Sequence, residues 1–425
     1  MNLILRISVL LVLIICYKYI PVFEPRGINY LLSIINLALI ANECKKTWDS
    51  INFSETLKLD IKNIFYYSLI STVLISIIII IHKTDPAGNI RFVRVVLIVA
   101  LLFVGGKIIN SISKSSVSNL LKNISLISFS TISFVAIIEI IFMFISLSHG
   151  SGEAYSGKIW GNKYWNPINQ LGFRDEEPKK GKNTVFFVGD SFTAGWGVKN
   201  IEDRFGETMS RELKKKDIII NEINLGRYGA DTRLEYHIFK KFIDKSQIKP
   251  DHLVLQFFVN DMDKFFPKNK TCVQEVTPLP IWKKTIIEGS YLANYISSIY
   301  PSSSAKPLSK ECEYTEILKK VFENDSLWHK EENQLDNFKN YCIEHNIKMT
   351  LVFFPFMEDL TLAKKIGVEK RIKSYCKKNK IKLFNVSDYI KNLSRNERQV
   401  SVMDSHASAK VHEITGKNLA KHINF

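Results

Sequence analysis

The first third of this 425-residue chain is far more apolar than the remainder. Residues 1–148 are dominated by Ile, Leu, Val and Phe, whereas residues 149–425 have the mixed composition of a water-soluble globular domain. A bilayer span needs about 20 mostly apolar residues. The contrast therefore predicts a helical membrane region, followed by a soluble part that is long enough to bury a core of its own.

Five segments of the apolar third are candidate membrane helices. Residues 64–81 and 124–147 have the length and composition of a span, and residues 4–20 carry charges only near their ends, where they can reach the interface. Segments 28–42 and 92–109 are weaker, and interfacial or re-entrant helices are the alternative for each. No small-residue cleavage site follows the first segment, which disfavours a signal peptide.

Lys and Arg in the short loops indicate the orientation, because they concentrate on the cytoplasmic side. With five spans and a cytoplasmic N-terminus, the inner loops hold seven such residues and the outer loops hold four. This bias predicts a catalytic domain outside the cytoplasm. The loss of one span would reverse that orientation.

Glu139 lies inside the last predicted span. A carboxyl group within a membrane is costly and normally faces a partner or a cavity. One interpretation is a hydrogen-bonded residue inside the helical bundle. The alternative is a proton or substrate path through the bundle.

The net charge of +16 comes from lysines that are scattered along the chain. No nucleic-acid recognition motif accompanies them, so we expect no nucleic-acid partner. The charge fits solvated helix faces or, alternatively, attraction to anionic lipids or an acidic surface polymer.

Six cysteines are present, of which Cys16 and Cys44 lie in or beside apolar segments. The soluble part holds the other four, at Cys272, Cys312, Cys342 and Cys376. No CxxC pair occurs, so neither a zinc nor a redox motif is predicted, and we expect no metal or cofactor. Outside the cytoplasm, disulfides are permitted. A Cys272–Cys312 bridge is one hypothesis, and the pairing stays open.

Strand-like and helix-like segments alternate through the soluble part. The predicted strands are 184–189, 218–224, 253–258, 348–354 and 381–384. The predicted helices are 202–216, 231–247, 326–346, 358–379 and 407–422. Such alternation predicts the α/β class, with helices on both faces of a parallel sheet. Residues 262–325 interrupt it with several prolines, and they are either a substrate-side cap or a disordered insertion.

The residues that carry chemistry follow predicted strands, where ligands of parallel sheets bind. Ser191 comes directly after the first strand in the sequence Gly-Asp-Ser, and a helix N-terminus there offers free N–H groups. Gly229 follows the second strand and Asn260 the third. Asp404 and His406 stand near the C-terminus, where His is the usual base for a serine hydroxyl and a carboxylate fixes its tautomer.

These residues resemble the SGNH/GDSL hydrolase family, whose blocks are named for Ser, Gly, Asn and His. The four blocks are Ser191 in VGDSFTAG, Gly229 in NLGRYGADT, Asn260 in FVND and His406 in DSHASAKVH. The resemblance implies Ser191 as nucleophile, His406 as base and Asp404 as its orienter. It also implies an oxyanion hole made by the Ser191 N–H, the Gly229 N–H and the Asn260 amide.

The resemblance covers about 183–425 and implies a flavodoxin-like three-layer α/β/α fold. It divides the chain into a membrane region (1–148), a linker and lead-in (149–182) and a hydrolase-like domain, whose insertion lies at about 262–325. The lead-in segment NPINQLGFRDEEP looks like one seen in bacterial members, so a bacterial membrane-anchored member is expected.

Several details depart from the family pattern or invite a second interpretation. Phe258 replaces the glycine that usually opens the third block, which would narrow the site or change the end of the strand. His412 and Asp190 are interpreted as structural, Asp190 as a turn and hydrogen-bond element. His237 and His252 are read as surface or packing residues. Three tryptophans are candidates for a sugar-binding surface, with core packing or interface anchoring as the alternatives: Trp160, Trp165 and Trp196.

Three functions follow from the sequence. The first is a membrane-anchored serine esterase that removes small O-acyl groups, commonly acetyl in the resembling family, from a cell-surface carbohydrate. The second is an O-acyltransferase with the same triad, which would need an acyl-donor partner in the membrane. The third is an inactive membrane scaffold. The expected partners are an acylated carbohydrate or other small ester and the lipid bilayer.

Overall fold

The computed structural model describes residues 55–84, 87–88, 91–114, 118–150, 154–266, 279–299, 310 and 313–423. The described residues form two compact units. One takes in the residues up to Phe144 together with Glu288–Ala293, and the other takes in Ile145–Ile287 and Asn294 onward. The predicted spans 4–20 and 28–42 lie outside the described residues. Four cysteines also lie outside the described residues, among them the two of the hypothetical bridge: Cys16, Cys44, Cys272 and Cys312.

The first unit is helical, with α1 at Glu55–Thr84, α2 at Arg91–Lys114 and α3 at Asn119–Phe142. Within the described part of the chain, α2 and α3 are the two helices that are long and apolar enough to cross a membrane. Helix α3 ends five residues before the predicted limit of its span. Residues 145–147 (Ile-Ser-Leu) belong to the second unit, and hydropathy does not separate membrane residues from packed ones.

Glu139 has hydrogen-bond partners inside this first unit. Its carboxylate accepts hydrogen bonds from the Ser290 hydroxyl at 2.8 Å, the Tyr291 N–H at 2.7 Å and the Leu292 N–H at 3.1 Å. The guanidinium of Arg94 lies 4.0 Å from the carboxylate and 4.9 Å from the centre of the Tyr291 ring. The geometry favours the first interpretation of Glu139, a hydrogen-bonded residue that caps the start of a helix.

The second unit contains short strands and many helices. Its strands are β1 Thr184–Val188, β2 Asn221–Asn224, β3 His252–Phe257, β4 Lys348–Phe353, β5 Lys382–Asn385, β6 Gln399–Ser401 and β7 Asp404–Ala407. The helices from residue 145 onward are α4 Tyr155–Tyr164, α5 Ser191–Ala194, α6 Phe205–Lys214, α7 Thr232–Ser246, α8 Ile281–Gly289, α9 Tyr291–Ile299, α10 Tyr314–Glu323, α11 Asp325–Glu344, α12 Leu362–Lys365, α13 Val368–Asn379, α14 Ser387–Ile390, α15 Arg395–Arg398 and α16 Ala409–His422.

Five described strands form one parallel sheet in the order β2-β1-β3-β4-β5. This is the flavodoxin-like order, in which the chain moves from the centre to one edge and then crosses to the other side. The register pairs Val185 with His252 and Phe187 with Asn224. The predicted α/β class and parallel sheet are confirmed.

Two apolar layers cover the faces of the sheet, because successive side chains of a strand point to opposite sides. Phe186 packs against Phe239 of α7 at 6.2 Å between ring centres. Its neighbour Phe187 packs on the other face against Phe205 of α6 at 5.5 Å. All four rings are essentially buried, and each contributes roughly 1.5–3 kcal/mol by leaving water.

Three predicted elements differ in detail. The helix expected over 358–379 divides into α12 and α13, because Gly367 takes a left-handed conformation (φ 86°) that ends a helix. The closing helix starts at Ala409 and not at 407, since Asp404–Ala407 pairs with Gln399–Ser401 as a hairpin. Tyr155, which falls within the predicted linker, begins α4. In its described part, the insertion contains helices α8 to α10.

Candidate active site

Ser191, His406 and Asp404 form a continuous hydrogen-bonded chain. Ser191 is the first residue of α5, directly after β1, and both His406 and Asp404 lie on β7. The His406 Nε2 is 2.9 Å from the Ser191 Oγ, and the His406 Nδ1 is 2.5 Å from the Asp404 Oδ1. The carboxylate thus fixes the imidazole so that Nε2 faces the serine hydroxyl.

Asp404 is completely buried, and both of its carboxylate oxygens have partners. Its Oδ1 accepts hydrogen bonds from the ring and the backbone N–H of His406, and its Oδ2 accepts one from the Ser148 hydroxyl. Burial opposes ionisation, but the hydrogen bonds from His406 and Ser148 outweigh it and hold the pKa of Asp404 below its usual value. The carboxylate is therefore charged and oriented at neutral pH.

Asp190 links the helix of Ser191 to Asn260. Its Oδ1 caps α5 by accepting the Phe192 N–H at 2.8 Å, and its Oδ2 accepts the Asn260 side-chain amide at 2.9 Å. The Asp190 N–H in turn donates to the Gln256 Oε1 on β3 at 3.0 Å. Burial raises the pKa of Asp190. Asp190 is thus a cap and a bridge beside the serine.

Gly229 and Asn260 line one cavity of about 650 Å³. Gly229 has a φ of +71°, a conformation that favours glycine. The Asn260 amide has two hydrogens, so one remains after the bond to Asp190. Both candidate oxyanion donors therefore border a common space.

The loop after β2 lies against α5, the helix of Ser191. A Cβ at Gly226 would approach the Ala194 nitrogen to 2.2 Å, so only glycine fits there. Asn224 fixes the same loop: its Oδ1 accepts the Gly226 N–H at 2.9 Å, and its Nδ2 donates to the Thr193 carbonyl at 2.9 Å. These contacts hold the segment that leads to Gly229 next to α5.

Phe258 replaces a glycine without backbone strain. Its φ of −134° and ψ of 162° are ordinary for an extended residue. The ring packs 4.7 Å from the Phe192 ring and 5.4 Å from the Phe356 ring. Phe258 therefore fills space beside α5 and leaves the end of the strand in a regular conformation.

Aromatic rings surround His406. The rings of Phe192, Trp196 and Tyr228 lie 5.4, 6.2 and 6.5 Å from the imidazole, and Trp196 and Tyr228 are 4.7 Å apart. Trp160 is 2% exposed, so it packs in the core and does not line an open surface. The rings limit the access of water to the imidazole.

Two other histidines are packing residues. His412 is fully buried, its Nδ1 accepts the Phe205 N–H at 3.3 Å, and burial together with the charges of Arg204 and Arg174 lowers its pKa to about 3. The His252 Nε2 is 2.9 Å from the Thr350 Oγ1, and burial lowers its pKa to about 4.

Sequence reasoning assigned no role to Arg174 in the lead-in segment. Its guanidinium is buried and donates to the carbonyls of Gly195 at 2.6 Å, Val198 at 2.7 Å and Tyr164 at 2.9 Å. Burial and the neighbouring Arg204 lower its pKa to about 9. Arg174 braces the turn after α5, and nothing beyond its place in the lead-in segment pointed to it in the sequence.

No protein-family model and no curated protein matches the chain. Among solved structures, it is similar to a G-D-S-L family lipolytic protein from Desulfitobacterium hafniense DCB-2, with 13% identity over 57% of this chain and 100% of that one and a TM-score of 0.36. It is also similar to the psychrotrophic esterase EstA from Pseudoalteromonas sp., with 12% identity over 57% and 96% and a TM-score of 0.34. A lipolytic G-D-S-L protein from Veillonella parvula DSM 2008 gives 12% identity over 56% and 96% and a TM-score of 0.34. Because these identities and TM-scores are low, the functional proposal rests on this chain's own residues.

Proposed function

We propose that this protein is a serine esterase of the SGNH/GDSL type, which removes small O-acyl groups from a carbohydrate. The observation that carries the proposal is the hydrogen-bonded chain from Ser191 through His406 to Asp404. A serine, an imidazole and a buried carboxylate in this order are the parts that acyl transfer needs.

The reaction begins when the Ser191 Oγ attacks the ester carbonyl while the His406 Nε2 takes its proton. The Ser191 N–H, the Gly229 N–H and the free hydrogen of the Asn260 amide bind the oxyanion. His406 then gives the proton to the departing alcohol, which leaves an acyl group on Ser191. Water attacks this ester, His406 takes the water's proton, and the carboxylic acid leaves as Ser191 regains its hydrogen.

The proposed substrate class rests on the cavity lined by Gly229 and Asn260, whose lining includes neither Ser191 nor His406. Three of its side chains carry or can carry positive charge (Arg233, His237 and Lys264), and two carry carboxyl groups (Asp231 and Asp263). Such a lining suits a hydroxyl-rich substrate better than a long acyl chain, because an apolar chain would displace water from these charged groups without offering them hydrogen bonds. A carbohydrate with a small acyl ester meets that requirement.

The apolar helices α2 and α3 support the proposal that the chain is anchored in a bilayer. From the distribution of Lys and Arg, we place the catalytic domain outside the cytoplasm, with the first third as a region of about five spans. Labelling of single cysteines in the soluble part by an impermeant maleimide on intact cells tests this orientation. Labelling only after lysis would overturn it.

An O-acyltransferase is the second candidate. Ser191 is only 4% exposed and aromatic rings surround His406, and a site that limits water favours an alcohol as the acceptor. In this case a glycan hydroxyl takes the place of water in the second step, and an acyl-donor protein in the membrane is the expected partner.

Turnover of p-nitrophenyl acetate by the full-length protein in detergent tests the first candidate. The wild type is expected to release p-nitrophenol steadily, and the Ser191→Ala variant is expected to release none above background. A burst of p-nitrophenol without steady turnover favours the transferase if addition of a glycan acceptor restores steady turnover. Full activity of a folded Ser191→Ala variant overturns both, and an inactive wild type that melts cooperatively favours the scaffold.

A further inference from the structure

We infer that Ser148 is a positioning residue of the active site, whose hydroxyl holds Asp404 in the orientation that His406 needs. The inference rests on the proposed function and adds to it a residue outside the four sequence blocks. Ser148 lies just after the last apolar helix, in a segment predicted to be membrane or linker.

The two carboxylate oxygens of Asp404 accept hydrogen bonds from different residues. Its Oδ1 serves His406 alone, since it accepts both the ring Nδ1–H and the backbone N–H of that residue. Its Oδ2 faces the Ser148 hydroxyl, which donates to it. Ser148 is 3% exposed and Asp404 is fully buried, so water does not replace this bond easily.

The hydroxyl is held in place by the residues that follow it. The Gly150 N–H donates to the Met403 carbonyl at 3.1 Å, next to Asp404 in the chain. The Tyr228 hydroxyl donates to the Gly150 carbonyl at 3.0 Å, and the Trp196 indole donates to the His149 carbonyl at 3.3 Å. Ser148, His149 and Gly150 are thus tied to three parts of the chain that border His406.

Removal of the hydroxyl leaves a buried carboxylate oxygen without a donor, which costs more than the loss of an exposed hydrogen bond. The carboxylate can then rotate or take up a proton, and in either case it supports the imidazolium less well. The imidazolium forms only as the reaction proceeds, so the loss falls on kcat and not on substrate binding.

The test compares Ser148→Ala with Ser148→Thr in the full-length protein. Loss of a hydrogen bond to a charged group predicts a kcat lowered about tenfold in Ser148→Ala, with KM unchanged. The acidic limb of its pH–rate profile should move to lower pH, because a less supported imidazolium loses its proton more readily. Ser148→Thr keeps the hydroxyl and should recover most of the activity.

Ser146→Ala is the matched control, since its buried hydroxyl has no hydrogen-bond partner among the described residues. It should behave as the wild type. Wild-type kcat and pH profile in Ser148→Ala would overturn the inference, and so would a threonine variant that is worse than alanine. If Ser191→Ala also keeps its activity, both the proposed function and the role of Ser148 fail. If Ser191→Ala is inactive but Ser148→Ala behaves as the wild type, only the role of Ser148 is refuted. The rate of fluorophosphonate labelling gives the same comparison if steady turnover is slow.

Discussion

The side-chain amide of Asn260 donates to the Oδ2 of Asp190 at 2.9 Å, and the other oxygen of that carboxylate caps the helix of Ser191. The amide proposed to bind the oxyanion is therefore fixed to the residue that positions Ser191, the proposed nucleophile. Such preorganisation matters because a donor that is already oriented needs no rearrangement during the reaction. Asp190 thus couples two of the sequence blocks in space.

Asn260→Ala is expected to lower kcat by about 10²–10³ with little change in KM, the usual effect of removing one oxyanion donor. Steady-state kinetics with p-nitrophenyl acetate measure it. Asn200→Ala is the control, because the Asn200 side chain donates to Asp203 at an exposed position. A kcat within twofold of the wild type in Asn260→Ala would remove Asn260 from the proposed oxyanion hole.

Arg174→Lys should lower both the melting temperature and kcat. A lysine cannot reach the carbonyls of Gly195, Val198 and Tyr164 together, since it lacks the planar fork of the guanidinium. The loss of several buried hydrogen bonds predicts a cost of about 2–4 kcal/mol. Arg395→Lys, which changes a single bond to Gln399, is the matched control. Equal melting temperatures for the two variants contradict the bracing role.

His412 predicts acid sensitivity. Its pKa of about 3 in the folded protein lies below the ordinary histidine value of about 6.5. The stability that it contributes is therefore complete above pH 6.5 and is lost as the pH falls toward 3, by ~1.4 kcal/mol for each pH unit. Between pH 7 and pH 5, the melting temperature should fall more in the wild type than in His412→Gln. The amide oxygen of the glutamine can still accept the Phe205 N–H. In the exposed control His237→Gln, the melting temperature should change with pH as it does in the wild type. The same pH dependence in His412→Gln would contradict the role of His412.

Glu139→Gln should keep near wild-type activity and lose part of the stability, because its single amide oxygen replaces only one of the two carboxylate oxygens that accept hydrogen bonds at the start of α9. Glu139→Leu should lower the melting temperature, since Ser290 and two backbone N–H groups lose their acceptor. Thermal melting and esterase rates of the two variants in detergent check this. Loss of activity in a stable Glu139→Gln variant would support the path through the bundle instead.

The sequence predicted the sheet well, because its buried strands are short apolar runs with polar boundaries, such as Thr184–Val188 and His252–Phe257. It was less accurate near Asp404 and His406. The segment DSHA is too short and polar to indicate a strand, and its pairing with Gln399–Ser401 depends on tertiary contacts.

The individual site residues were predictable because each follows a strand or stands in a recognisable block. The residues that hold these side chains in place were not predictable from the sequence. Ser148 lies 256 positions from Asp404 along the chain, and Arg174 is recognised only by the carbonyls that surround it. Contacts of this kind depend on how loops fold back over the sheet, which local patterns do not encode.

The most direct test of the central claim is the site of covalent labelling by a fluorophosphonate probe on the full-length protein, mapped by peptide mass spectrometry. We expect one adduct on Ser191, abolished in Ser191→Ala and strongly slowed when His406 is replaced by alanine. An adduct on another residue, or equal labelling of the folded Ser191→Ala variant, would contradict it.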